Sequence, residues 1–438
     1  MWHEPDLVRP LRDAEPDFLE LLLTRFRLER DGVGARLSVR FDEDTPVIWK
    51  RDAKRIVQDR IADFDGKAKA YQEQLDGILL RGGAGPFVLD DPGFPFRYVS
   101  GGTLPVVSFL GDEDREYFAL IYREVFPVGW NLANGGSDSS AELRNPFETI
   151  ERELREELVM FDGALTKLYV FDSVSGKPEV RPEWVAARKL WERRPELFDL
   201  DDFGKMEEEL IPIKWLGGPD TLQISESSEL PRLLQGCFLN INAEDFGIEV
   251  DRIARITLSG DAILFDGEIL RGQLVNSPVG LFEVGRMQAP FRGDTDLVPD
   301  FFFYDGRRYA DGQRLLEVLR EDFVPRMARL DPRWDRREWD EAPHKLGMCP
   351  VTERLLRRAL PLWRAADETA GSYDIFVSSA GEDTELAGQV CAFLHANTQG
   401  RVFWSKELDN ADYSRSIDEA LTSARCLISV GTHPRHLR

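Results

Sequence analysis

Apolar positions along this chain recur with two periods, and the switches between them mark its elements. The run ARLSVRF alternates apolar and polar residues and predicts a strand with one buried face. Residues 51–80 carry apolar positions at helical spacing amid heavy charge, which predicts an amphipathic helix interrupted near Gly66. The stretch 81–102, RGGAGPFVLDDPGFPFRYVSGG, is dense in Gly and Pro and reads as a loop or linker. Next, LPVVSFL and YFALIYREV predict two strands around the turn GDEDRE. The loop GWNLANGGSDSSAELRNP then leads into FETIERELREELVMF, whose apolar residues keep helical spacing as far as Phe161. Asn145 suits the N-cap, Pro146 the first helical position, and Glu148 stands where a capping box wants it.

Further on, 176–232 is polar and Pro-rich and reads as an insertion, and 254–285 as several short strands with Gly turns. GQRLLEVLREDFVPRMARL and TERLLRRALPLWRAA predict a helical spacer that ends at the boundary DETAGS, 367–372. Beyond it, YDIFVSSAGED, TELAGQVCAFLHANT, GRVFWSKEL, DYSRSIDEALTSA and RCLISVG alternate strand and helix, which argues for a parallel α/β unit. The expected organisation is an α/β multidomain chain. It comprises a mixed strand and helix extension over 1–100, a domain over 101–290, a helical connector over 291–370 and a final unit over 371–438.

Composition narrows the partners. The 438 residues carry a formal net charge of -23, so the chain as a whole has no pull towards phosphate backbones or anionic lipid. Nucleic acid and membrane are therefore not expected as partners. Four scattered cysteines without zinc-ligand spacing read as reduced thiols. The charged start is not a signal peptide, and no apolar run is long enough to span a bilayer, so a cytoplasmic location is expected.

The chemistry concentrates in RELREELVMF. Glu153, Glu156 and Glu157 stand at i, i+3 and i+4, on one narrow sector of a helix, where like charges repel. A divalent cation turns that repulsion into coordination, and oxygen-rich sites suit Mg²⁺ or Mn²⁺. The competing reading is a solvated acidic face relieved by Arg152 and Arg155. The Gly-Gly turn before the helix favours the cation.

These residues resemble the box of the Nudix hydrolases, Gly-x5-Glu-x7-Arg-Glu-aliphatic-x-Glu-Glu-x-Gly-aliphatic. Arg152, Glu153, Leu154, Glu156, Glu157 and Met160 fill its second half, and GWNLANGG matches the Trp, Leu and Gly-Gly that precede it. The resemblance implies a Nudix-like α/β/α sandwich with a mixed sheet. It also implies Mg²⁺ on Glu153, Glu156 and Glu157, Arg152 orienting a glutamate, and Gly135 and Gly136 beside the ligand. The activity implied is hydrolysis of a nucleoside diphosphate such as ADP-ribose. The sequence departs from the box in three places. The loop from Gly136 to Arg152 is two residues longer, and Arg144 stands at the upstream Glu position with Glu142 nearby. Val159 replaces the box Gly, with Gly163 a turn later as its substitute. Asp266 or Glu268 is a further candidate ligand, set against a plain charged turn.

Residues 373–438 resemble a TIR domain, in YDIFVSSAGED and in the order VFWSKELDNADYSRSIDEALTSARCLISVG. This implies a flavodoxin-type parallel unit, TIR–TIR self-association or association with other TIR proteins, and NAD as a further substrate. Ser378 and Asp383 fall at the expected ligand crevice, where a turn and helix cap is the duller reading. Ser414 occupies the usual catalytic Glu position, which speaks against NAD cleavage. Only three strands of a five-stranded sheet precede Arg438, so the unit reads as incomplete. Taken together, the expectation is a nucleotide-signalling, immune-type protein that takes a nucleotide-type small molecule. The alternative is a non-catalytic adaptor in which both domains serve binding and self-association.

Overall fold

The structure, a computed structural model, describes residues 18–30, 34–42, 45–62, 65–79, 81, 83, 85–98, 101–123, 129–172, 181–226, 230–243, 245–267, 279–285, 287, 301–304, 309–311, 348–368, 375–379, 383–397, 402–404 and 426–430. The chain is a mixed α/β protein with both parallel and antiparallel strand pairs, and it divides into two compact units, Met1–Arg357 and Arg358–Arg438. The division falls within the helix Pro350–Glu368.

In the first unit, Ala35–Phe41 is the expected alternating strand, with every second residue buried. It pairs antiparallel with Arg25–Arg30 and parallel with Asp220–Glu226, so pairing crosses the boundary the sequence suggested at residue 100. The charged stretch after it forms two helices, Lys50–Ala62 and Gly66–Leu79. The Gly- and Pro-rich stretch 81–102 is more than a loop: it holds the strands Phe87–Asp90 and Phe96–Tyr98 and the start of a third at Gly101. Its aromatics explain this. Phe87, Phe94 and Phe96 stack edge-on or tilted with Phe26, Tyr71 and Phe246, and that packing sets the backbone while Gly and Pro make the turns.

The long strand Gly247–Leu258 is the seam of the unit. It runs antiparallel to Arg232–Ile241 and parallel first to Phe96–Tyr98 and then to Gly101–Phe109. Gly101–Phe109, buried along nearly all its length, also pairs with Asp112–Arg123 and Ala133–Gly135. A second sheet of four strands runs in the order Glu207–Ile211, Lys167–Phe171, Leu158–Phe161, Ile263–Asp266. The polar stretch 176–232 thus contributes a helix, Pro182–Arg193, and strands to both sheets. Helix Pro350–Glu368 forms as expected, whereas 312–330 lies outside the described residues.

The seam strand buries charge. Asp251 is fully buried and accepts hydrogen bonds from the Gly102 N–H (3.0 Å) and Asn240 Nδ2 (2.8 Å). Burial, with Glu249 close by, pushes its carboxyl up to about 8. Between the unfolded value near 4 and the folded one, the folded chain binds the extra proton, so stability falls as pH rises through that window. Denaturant titrations at pH 6 and pH 8 are expected to show lower stability at pH 8, with a shallower dependence in Asp251→Asn. An identical pH dependence in the two proteins contradicts the assignment.

In the second unit, Ile375–Ser379 lies between Val402–Trp404 and Cys426–Val430, all three parallel, with helix Thr384–Asn397 after the central strand. Val377, Ala387, Cys391, Val402 and Val430 form its core. This is the parallel α/β arrangement expected of the last segment. Among the described residues no helix is long and apolar enough to cross a membrane.

Candidate functional site

The acidic segment is a helix, but a shorter one than its periodicity suggests. It runs Pro146–Glu157, and Leu158–Phe161 leaves it as a buried strand. LVMF is paired on both sides, across a short hairpin with Lys167–Phe171 and at long range with Ile263–Asp266, and those ladders override the helical spacing of Leu158 and Phe161. The cap at Leu158 is extended, with φ -112 and ψ 101, so no left-handed residue is required and Val159 is accommodated. Gly163 does not replace the box Gly; it sits in the turn between two strands. At the other end Pro146 takes the first turn as expected, but Asn145 makes no side-chain cap. Its Nδ2 instead donates to Glu148 Oε1 at 2.8 Å.

One face of the helix is pinned to the sheet. Ile150 and Leu154 are fully buried, and the Arg252 guanidinium lies between the Phe147 and Trp215 rings, 4.4 and 4.5 Å from their centroids. Arg155 turns away from the acidic face, to Glu151 at 2.7 Å and Glu183 at 3.6 Å on helix Pro182–Arg193.

The acidic face closes on Arg152. Its Nε and Nη2 donate to Glu142 Oε1 (3.0 Å) and Oε2 (3.1 Å), a two-pronged pair, and Nη2 also donates to the Gly136 carbonyl at 2.6 Å. Its Nη1 reaches Glu153 Oε1 and Glu156 Oε2, both at 2.9 Å, and Asp138 stands 3.6 Å from Nε. Burial works against the charge on Arg152, but Glu142, Glu153 and Glu156 outweigh it and bind its proton more tightly than usual. Glu156 is shifted up by burial, with Arg152 opposing; Asp138 is shifted up for the same reasons. Glu157 is held differently: its Oε2 accepts from the Asn134 N–H at 2.8 Å. Glu153 is only 2% exposed and the Glu156 side chain 36%, so the carboxylates range from the core to the solvent edge.

Both glycines before the helix are closely approached, Gly135 by the end of a side chain and Gly136 by the base of the Phe18 ring. A Cβ on Gly135 would stand 2.1 Å from the Glu153 carboxylate, and one on Gly136 would stand 2.3 Å from Phe18. Gly135→Ala is expected to cost about 1–3 kcal/mol through overpacking against Glu153. A denaturant midpoint matching that of the unaltered protein contradicts this packing.

Glu142 faces Arg152, whereas Arg144 pairs outward with Glu226 at 3.1 Å. Asp266 is buried and registered against Leu158, while Glu268 lies outside the described residues. In the second unit, Ser378 lies half-buried on the central strand opposite Ser429, and Asp383 is buried just before helix Thr384–Asn397. Ser414 lies outside the described residues.

Among the described residues, no group of three or more His, Cys, Asp or Glu side chains stands in a cation-ready arrangement. The side chains gathered here are carboxylates, the donor type that hard cations take. Each carboxylate offers about four lone-pair sites on two oxygens, and Arg152 Nη1 engages one oxygen of Glu153 and one of Glu156. Compared with family models, with curated proteins and with solved structures, the chain finds no match.

Proposed function

We propose that the first unit is a Nudix-like, Mg²⁺- or Mn²⁺-dependent hydrolase of a nucleoside diphosphate such as ADP-ribose, and that the last is a TIR-like signalling module. The observation that carries this reading is the two-pronged Glu142–Arg152 pair. It supplies the glutamate that the box spacing lacks and fixes the guanidinium beside Glu153 and Glu156. Glu153, Glu156 and Glu157 would hold the cation. When bound, it neutralises charge on the diphosphate and activates water. Arg152 restrains the rotamers of Glu153 and Glu156, and the Asn134 N–H restrains Glu157. One box carboxylate takes the proton of the attacking water. A P–O bond to water forms, the bridging P–O bond breaks, and ADP-ribose yields AMP and ribose phosphate.

In the second unit Ser378 and Asp383 are proposed as the nucleotide-facing residues, NAD as the candidate ligand, and self-association or pairing with other TIR proteins as the output. The proposed setting is cytoplasmic nucleotide signalling in immunity. A second reading, the non-catalytic adaptor, is favoured by one observation: Glu153 and Glu156 are already bridged by a guanidinium. Incubation with Mg²⁺ and ADP-ribose is expected to release AMP, while NAD loss is followed in parallel. Concentration-dependent assembly without turnover of any nucleoside diphosphate would decide for the adaptor.

A further inference from the structure

A chain of hydrogen bonds joins the acidic face to a residue far along the sequence. The Thr352 hydroxyl donates to Asn131 Oδ1 at 2.9 Å and accepts from the Leu132 N–H at 3.0 Å. Asn131 Nδ2 donates to Asn134 Oδ1 at 2.6 Å, and the Asn134 N–H donates to Glu157 Oε2 at 2.8 Å. The Thr352 and Asn131 donors run through side-chain amides as far as Asn134 Oδ1, where they fix the Asn134 side chain, and the backbone N–H of the same residue then meets the Glu157 carboxylate. The path starts in the core, with Thr352 fully buried and Asn131 7% exposed, and ends at half-buried Asn134 and Glu157. Beside it the Cys349 N–H donates to the Trp130 carbonyl at 2.8 Å, and the Glu353 N–H to the Cys349 carbonyl at 2.9 Å. The first turn of helix Pro350–Glu368 is thereby fastened to the strand Gly129–Asn131.

We propose that Thr352 is a positioning residue for Glu157, acting through Asn131 and Asn134, so that cation occupancy at the acidic face and the anchoring of helix Pro350–Glu368 form one linked equilibrium. This rests on reading the acidic face as a cation site. Restraint supplies the coupling: a carboxylate that must meet a cation loses less rotamer freedom if a fixed backbone donor already holds one of its oxygens. Linkage then works in both directions, because whatever Thr352 contributes to cation affinity, the cation returns to the Thr352 anchor. A purely structural role for Thr352, as a buried fastening of a helix start, gives no such reciprocity.

The test is Mn²⁺ titration of the full chain, followed by the loss of free-ion paramagnetic signal, together with hydrogen exchange with and without Mg²⁺. Thr352→Val is expected to weaken Mn²⁺ binding about tenfold, and Thr352→Ser, which keeps the hydroxyl, to restore it. In the unaltered protein Mg²⁺ is expected to slow exchange at the amides of Leu132 and Glu353, and Glu157→Gln is expected to abolish that effect. The exchange arm needs no Thr352 variant, so it decides even if Thr352→Val fails to fold. Mn²⁺ binding in the unaltered protein with equal affinity in Thr352→Val, or without Mg²⁺-dependent protection at those amides, overturns the linkage alone. Absence of Mn²⁺ binding in the unaltered protein overturns the reading of the acidic face, and the linkage with it.

Discussion

Replacing Arg152 with alanine is expected to lower the stability of the first unit by about 3 kcal/mol or more, the usual cost of stranding buried carboxylates without their cation. The guanidinium is 15% exposed and faces Glu142 at 14% and Glu153 at 2%, so little water reaches the charges it leaves behind. Without it, Glu142, Glu153, Glu156 and Asp138 repel one another across a few ångströms. Arg152→Lys is expected to rescue only part of the loss, since an ammonium cannot grip both Glu142 oxygens and still reach Glu153 and Glu156. Added Mg²⁺ is expected to return stability to Arg152→Ala by mass action, because the vacated carboxylates then hold the ion. Urea titrations with and without Mg²⁺ measure both effects. A loss below about 1 kcal/mol would show that solvent screens the cluster as it screens surface ion pairs.

The second large effect falls on turnover. Glu157→Gln is expected to reduce Mg²⁺-dependent AMP release by two to three decades, in line with the several kcal/mol a catalytic cation supplies. The amide keeps an oxygen for the Asn134 N–H, so stability is expected to change by about 1 kcal/mol at most. The contrast matters because a change that merely loosened the helix would move both quantities together. Glu148→Gln serves as the control: Glu148 is exposed in the first turn and bonds Asn145 rather than Arg152. Loss of turnover of equal size in both variants contradicts the assignment of Glu157.

What the sequence made legible was local. Three glutamates on one helical sector, an arginine one turn away and a glycine pair ahead of them are readable from spacing alone, and Glu142 stood close enough to be named as a substitute. The helix end was not legible, because Leu154, Leu158 and Phe161 keep helical spacing while a strand more than a hundred residues away, with the next strand along the chain, imposes the extended form on LVMF. In 81–102 the Gly and Pro content concealed strands whose formation depends on aromatic partners such as Phe26, Tyr71 and Phe246. Nothing in TERLLRRAL marks Thr352 as a partner of Asn131, since the contact spans 221 positions and is made by a common hydroxyl. In the second unit the alternation of strand and helix was readable because each segment is short and apolar, and the three parallel strands follow it. The two neighbouring acids on the seam strand were equally silent: Asp251 and Glu249 look like ordinary surface carboxylates until the fold closes around them.

One measurement bears on all of this most directly. Isothermal titration of Mg²⁺ or Mn²⁺ into the full chain, beside Glu156→Gln and Glu157→Gln, asks whether the acidic sector exists to hold an ion. Saturable uptake by the unaltered protein, and its loss in both variants, is the expected result. Uptake that is absent, or that persists undiminished when either glutamate is neutralised, would mean that Arg152 alone reconciles these charges and that the helix serves the fold rather than a reaction.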